Sequence, residues 1–112
     1  MSVVLSDPFL SMLAARLQAI AEPTRIRLLL VLEQREASVQ ELTDQLASTH
    51  QNVSKHLNVL YRAGIVSRSR SGSRVCYALV DYSACRLIEQ AGASLTGYVE
   101  ELASIAGLDA AA

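Results

Sequence analysis

Two histidines, two cysteines and one run of bases are the side chains of this 112-residue sequence with chemistry to offer. His50 and His56 lie six positions apart in a segment of helical period, which puts them about 240° apart around the axis, so they cannot chelate one ion together. His50 suits contact with a nucleic acid, and His56 a structural or phosphate-binding role. Cys76 and Cys85 are nine positions apart, and three uses compete for them. They can be small packed thiols, a redox-sensitive pair or reactive thiol whose pKa is lowered near a helix start, or part of a thiolate site for a transition metal or metalloid across a subunit interface. The sequence has no glycine-rich phosphate loop, no His-Glu-x-x-His run and no evident Ser-His-Asp or Cys-His constellation, so an enzyme is not expected.

The bases are more informative than the sulfurs. From Gln45 to Val80 there is no Asp or Glu, while Lys55, Arg62, Arg68, Arg70 and Arg74 fall inside that window. The chain as a whole has formal charge −1, so a block carrying +5 leaves −6 for the remainder. A near-neutral chain with one cationic block reads as a surface built to meet a polyanion, against the plainer alternative of a solvated basic face.

Helical period over residues 50–63 places Val53, Leu57, Leu60 and Tyr61 on one buried stripe. The opposite face then carries Gln51, Lys55, Asn58 and Arg62, with Asn52, Ser54 and His56 toward its edges. Thr49 is the expected N-cap and Gly64 the expected stop. Amides, hydroxyls and a lysine near a helix start can read base edges in a major groove, whereas Arg62 suits a phosphate. Residues 65–70, a Ser-Gly-Ser turn and residues 74–80 alternate as a short hairpin, with Arg68, Arg70 and Arg74 crowding its tip. A basic hairpin beside such a helix is the wing of a winged helix, placed for phosphate or minor-groove contact.

Upstream, a first helix is expected over residues 7–20, capped by Asp7 with Pro8 at its first position, and with Phe9, Leu10, Leu13, Leu17 and Ile20 as its apolar stripe. A second runs from about Pro23 to Gln34, with Ile26, Leu29, Leu30 and Val31 or Leu32 inward. Arg25 near its start is either solvated or paired, or reaches a DNA phosphate. Ser38 and Glu41 have the spacing of a capping box opening a third helix over about 39–46. Its corner into the fourth helix makes residues 38–63 a helix-turn-helix. Residues 83–105 read as a long last helix with Leu87, Ile88, Ala91, Leu95, Tyr98, Val99 and Leu102 on one side, and residues 106–112 as a frayed tail.

These elements predict a single domain over residues 1–112, mainly α with a small β-hairpin: a winged helix-turn-helix. The hydrophobic fraction of 51% is high for a small monomer, so a two-fold dimer through the first and last helices is expected. No apolar run approaches the ~20 residues needed to span a bilayer, no secretory signal is recognisable, and two cysteines are too few for a disulfide scaffold; a cytoplasmic protein is expected. The expected partners are double-stranded DNA and a second copy of the chain, with no membrane and no required cofactor. The alternatives are a winged-helix protein-interaction module or an effector-independent DNA-binding protein.

Several runs carry a family resemblance. Ala21-Glu22-Pro23-Thr24-Arg25, Ser38-Val39-Gln40-Glu41-Leu42, Val53-Ser54-Lys55-His56-Leu57 with Leu60, Ala63-Gly64-Ile65-Val66, and Gly72 with Tyr77 and Leu79 together resemble the ArsR/SmtB family of bacterial winged-helix repressors over roughly residues 10–100. The resemblance implies a dimeric repressor that occupies an inverted-repeat operator until an effector, a metal ion or a redox signal, changes its shape. It also implies that His50, Gln51, Ser54 and Lys55 occupy the main DNA-contacting positions, with Thr49, Asn52 and His56 nearby. The family's usual metal sites do not carry over. Ser38 and Gln40 stand where one site has cysteines. On the last helix Asp81 matches a first ligand, but Ser83, Ser94 and Gly97 occupy the later ligand positions, so Asp81 is expected to cap the helix.

Overall fold

The computed structural model describes residues 6–107. Helices α1 (Asp7–Ile20), α2 (Pro23–Gln34), α3 (Val39–Leu46), α4 (His50–Arg62) and α5 (Tyr82–Ile105) are joined by strands β1 (Ala37–Ser38), β2 (Val66–Ser71) and β3 (Arg74–Leu79). The chain therefore has the winged helix-turn-helix arrangement, with α3–α4 as the motif and β2–β3 as the wing. Most of the tail expected to fray, residues 108–112, lies outside the described residues; α5 ends at Ile105, with Ala106 as its C-cap and Gly107 at φ 74°.

Local chemistry sets the helix boundaries. Ser6, not Asp7, is the N-cap of α1, its hydroxyl accepting from the Phe9 amide, and Asp7 sits in the first turn, where its charge faces the positive end of the helix dipole. Glu22 caps α2 by accepting from the Arg25 amide. The capping box of α3 is complete: Ser38 Oγ accepts from the Glu41 amide at 3.1 Å, and Glu41 Oε1 accepts from the Ser38 amide at 3.0 Å. Thr49 caps α4, accepting from Asn52. At its far end Gly64, at φ 75°, lets Ile65 N–H reach Leu60 O and Gly64 N–H reach Tyr61 O, the paired bonds of a Schellman stop.

The sheet has three strands, one more than the expected hairpin, in the order β1-β3-β2. Ala37 pairs with Tyr77 and Ser38 with Cys76, antiparallel. Two residues are too few for any alternation to show in the sequence. They are extended because an N-cap needs β-region backbone, and Ser38 has φ −79° and ψ 161°. That extended stub meets the open edge of β3 and covers it.

The core joins all layers. Leu28, Leu29, Leu42, Val53, Leu57, Leu60, Ile65 and Cys85 are fully buried, with Tyr77 and Leu79 behind them. On α2 the inward set differs from the expected one. Leu28 is buried and Leu30 is exposed, because Leu28 lies only about 40° from Leu32 around the axis and Leu30 about 160° away. Tyr61, expected on the buried stripe of α4, is also partly exposed at the rim.

The expected stripes of α1 and α5 are largely uncovered. Leu10, Leu13 and Leu17 on α1, and Leu87, Leu95, Tyr98, Val99 and Leu102 on α5, remain exposed large hydrophobics. Arg16 ties the two helices to the motif: it forms a 2.6 Å ion pair with Asp81 at the start of α5 and donates to Ala63 O at the end of α4.

The corner between α3 and α4 turns at Ala47, whose φ of 50° is the only positive value at a non-glycine among the described residues. A left-handed alanine costs roughly 1–2 kcal/mol, and glycine there gives back about 0.5–1 kcal/mol through the freer unfolded chain. Ala47→Gly is therefore expected to stabilise the fold by about 0.5–1 kcal/mol in urea unfolding, and a lower midpoint would contradict a strained corner.

Candidate nucleic-acid interface

Because Val53, Leu57 and Leu60 are fully buried, the other side of α4 must face out. His50, Gln51, Lys55 and Arg62 are exposed and Asn52, Ser54 and Asn58 half-buried. Two of the predicted contacts are committed locally: the Thr49 hydroxyl accepts from the Asn52 amide, and Asn52 Nδ2 donates to Ser48 Oγ at 3.1 Å. The exposed polar face of α4, the start of α3 and the wing enclose an open cleft of about 930 Å³, lined among others by Gln40, His50, Ser54, Asn58, Arg70 and Arg74.

His56 differs from its neighbours. Its side chain is only 11% exposed and points toward α2, where Arg25 Nη1 lies 3.1 Å from its Nδ1. A guanidinium only donates, so Nδ1 is the acceptor in the Arg25 contact. Glu22 Oε2 lies 3.5 Å from the same nitrogen. The ring is thus turned toward α2 and away from the exposed polar face. Arg25 is likewise spent: it donates to Ala19 O at 2.7 Å and Gln18 O at 3.3 Å, capping the last carbonyls of α1. Of the two options for Arg25, the structure shows the paired one, its guanidinium turned onto α1 and His56.

The wing arginines also divide. Arg68 lies over the Tyr61 ring, 4.2 Å from its centroid, a cation–π contact that ties β2 to the end of α4. Arg74 Nη2 donates to Glu41 Oε1 at 2.8 Å, and Arg35 donates to Glu41 Oε2 at 3.1 Å. Arg70 is exposed. Bonds from the Ser38 amide and hydroxyl, and then from Arg35 and Arg74, hold the Glu41 carboxyl at about 2. It therefore remains charged at any pH at which the protein is used.

Tyr61 and Gln40 line this cleft and Glu41 meets it through Arg74; sequence reasoning placed none of the three there. For Glu41 the capping-box spacing was a signal for its helix role. Nothing in the sequence signals that the same carboxylate faces the wing, because residues 41 and 74 meet only in the folded chain.

The thiols are well separated in character. Cys85 is fully buried, its sulfur 3.6 Å from Leu29 O. Burial, with Glu33, Glu89 and Asp81 adding to it, pushes the thiol up to about 11. The direction is opposite to the lowered pKa that a helix-start position suggested, because loss of solvation outweighs the helix dipole. Cys76, paired across the sheet with Ser38 and Ser69, is half-buried, on the strand face away from buried Tyr77 and Leu79. Asp81 caps α5 through the Ser83 amide and also holds Arg16. Among the described residues no group of three or more His, Cys, Asp or Glu side chains could hold a metal ion, and no helix is long and apolar enough to cross a membrane.

A capped helix with an outward polar face, a preceding short helix and a basic hairpin define a winged helix-turn-helix module of the kind that reads duplex DNA. Comparison with known proteins agrees. A helix-turn-helix domain family matches residues 20–68. The chain is 39% identical over 72 residues to the HTH-type transcriptional repressor SmtB of Mycobacterium tuberculosis, covering 64% of this chain and 53% of that protein. It is 30% identical to the HTH-type transcriptional regulator NmtR of the same organism, over 80% of this chain and 75% of NmtR. The crystal structure of M. tuberculosis Rv0081 superposes with a TM-score of 0.73 at 31% identity, covering 86% of this chain and 97% of that one. The chain belongs to the ArsR/SmtB family of winged-helix transcriptional regulators. It spans about half the length of SmtB (53%).

Accessibility gives a direct check on the thiols. Cys76 should react with a disulfide reagent in the native protein, and Cys85 only on unfolding. Two equally fast thiols in the native state would contradict the burial of Cys85.

Proposed function

We propose that this chain is a transcriptional repressor that binds duplex DNA sequence-specifically as a homodimer. The observation that carries this reading is the outward face of α4, where Gln51, Lys55, Asn58 and Arg62 stand opposite a fully buried apolar stripe and beside a basic wing. His50, Gln51, Ser54 and Lys55 are the side chains for base edges at the amino-terminal half of α4. Thr49 and Asn52 set the helix start, and Arg62, Arg68 and Arg70 serve phosphates. Arg74, among the predicted contacts, is engaged with Glu41.

The exposed leucines of α1 and α5 supply the dimer surface, since apolar side chains at this density are rare on a lone monomer. Two copies related by a two-fold would set their α4 helices ~34–36 Å apart, one turn of DNA, and so select an inverted repeat. Control by an effector, whether an oxidant, a transition metal or a metalloid, would engage Cys76 in preference to Cys85. Cys76→Ser should then abolish the response of operator binding to such agents. An unchanged response in that variant would remove Cys76 from the effector site.

Two substitutions separate reading from holding. Gln51→Ala should relax sequence choice at particular base pairs, at a cost of about 1–3 kcal/mol if the contact is bidentate. Arg70→Ala should weaken specific and random duplexes alike and reduce the log–log salt slope by about 0.9. Equal losses on specific and random DNA for both variants would overturn these roles. A parent protein with no preference for any inverted repeat would favour a protein-docking module instead.

A further inference from the structure

Past Cys76 the wing loses its outer support. Strand β1 ends at Ser38, paired with Cys76, so β3 at Val75 and Arg74 has only β2 beside it, through the pairs Arg70–Val75 and Ser71–Arg74. A two-stranded ribbon is weakly held on its own, and this tip carries the exposed Arg70. Where β1 stops, Glu41 takes over. Its Oε1 accepts from both the Ser38 amide and Arg74, while Oε2 accepts from Arg35. On the other strand Arg68 rests on Tyr61 of α4. The cleft between wing and α4 is therefore spanned by two side-chain struts, one to the beginning of α3 and one to the end of α4.

The charge of Glu41 is otherwise out of place. Residues 45–80 contain no acid, yet this carboxylate comes from α3 to the same surface, where it repels phosphate. Helix capping alone does not require the charge, because glutamine serves at the same capping-box position. Nor does stability explain it, since exposed ion pairs contribute little.

We propose that Glu41 is a positioning residue for DNA binding: through Arg74 it clamps the free tip of the wing to the start of α3 and fixes the opening between wing and recognition helix. The inference rests on the DNA-binding reading above. It also moves Arg74 from the phosphate contacts to the framework. Arg35 is the second base on the carboxylate.

Glu41→Gln tests this by the sign of its effect. The substitution keeps the size and the capping bond from the Ser38 amide, leaves Arg74 only a neutral hydrogen bond to the same oxygen in place of a charge-assisted one, and removes one negative charge from a surface facing a polyanion, so electrostatics alone makes DNA binding tighter. Positioning makes it weaker, by about two- to five-fold, on specific and random duplexes together. Arg74→Gln should weaken binding similarly and leave the salt slope unchanged, and the double variant should be no weaker than Arg74→Gln alone. In the free protein, amide hydrogen exchange over residues 68–76 should accelerate in Glu41→Gln while the amides of Leu57 and Leu60 keep their protection. Tighter binding by Glu41→Gln, a slope reduced by about 0.9 in Arg74→Gln, or unchanged exchange in the wing would each overturn the clamp. A parent protein that binds no duplex would sink the DNA reading instead, and the exchange measurement would still decide whether Glu41 holds the wing.

Discussion

The burial of three side chains on one helix governs everything this molecule presents to its surroundings. Val53, Leu57 and Leu60 are completely withdrawn from water, and together they fix the rotation of α4 about its own axis. A turn of α4 by one residue, about 100°, would move Lys55 or Arg62 toward the core and bring leucines to the surface, losing about 1.5–3 kcal/mol for each large apolar side chain exposed. The cap at Thr49 and the Schellman stop at Gly64 fix the same helix along its length. With rotation and both ends determined, the positions of Gln51, Lys55 and Asn58 are consequences of packing and need no further device to aim them.

The positive charge is less uniform than its count suggests. The cationic block holds five formal charges, but the fold assigns them different work. Lys55, Arg62 and Arg70 are exposed, Arg68 lies on an aromatic face, and Arg74 is paired with an acid from another helix. Arg25, outside the block, is consumed by the last carbonyls of α1 and the ring of His56. Arginine suits both uses because its planar fork can satisfy several acceptors at once while remaining charged. The same chemistry that suits arginine to phosphates therefore also builds the frame around the exposed bases.

How much of this could be read in advance follows from the range of the interactions involved. The helices, the caps at Ser38 and Thr49, the stop at Gly64 and the outward face of α4 were all legible, because each depends on residues within one or two turns of each other. The short strand β1 was not, since two extended residues become a strand only when β3 arrives beside them. Leu28 and Leu30 exchanged places because α2 is apolar nearly all round, and its buried side is chosen by the helices packed against it. Asp7 yielded the cap to Ser6, a neighbour of equal capping ability, which local sequence alone does not separate. The partners of His56, Arg25 and Glu41 were hidden for the same reason: they lie 31 residues away in the His56–Arg25 contact and 33 in the Glu41–Arg74 contact.

Exposed apolar surface links the interface to the rest of the chain. The outer leucines of α1 and α5 are left without partners in one subunit, yet these helices are not loosely attached. Arg16 on α1 reaches Asp81 at the start of α5 and the Ala63 carbonyl at the end of α4. One guanidinium thus joins both outer helices to the carboxy-terminal end of the recognition helix, while Arg25 joins the end of α1 to His56 in its middle. These two arginines are side-chain ties of the outer helices to α4, because each bonds a charged fork to acceptors on two elements.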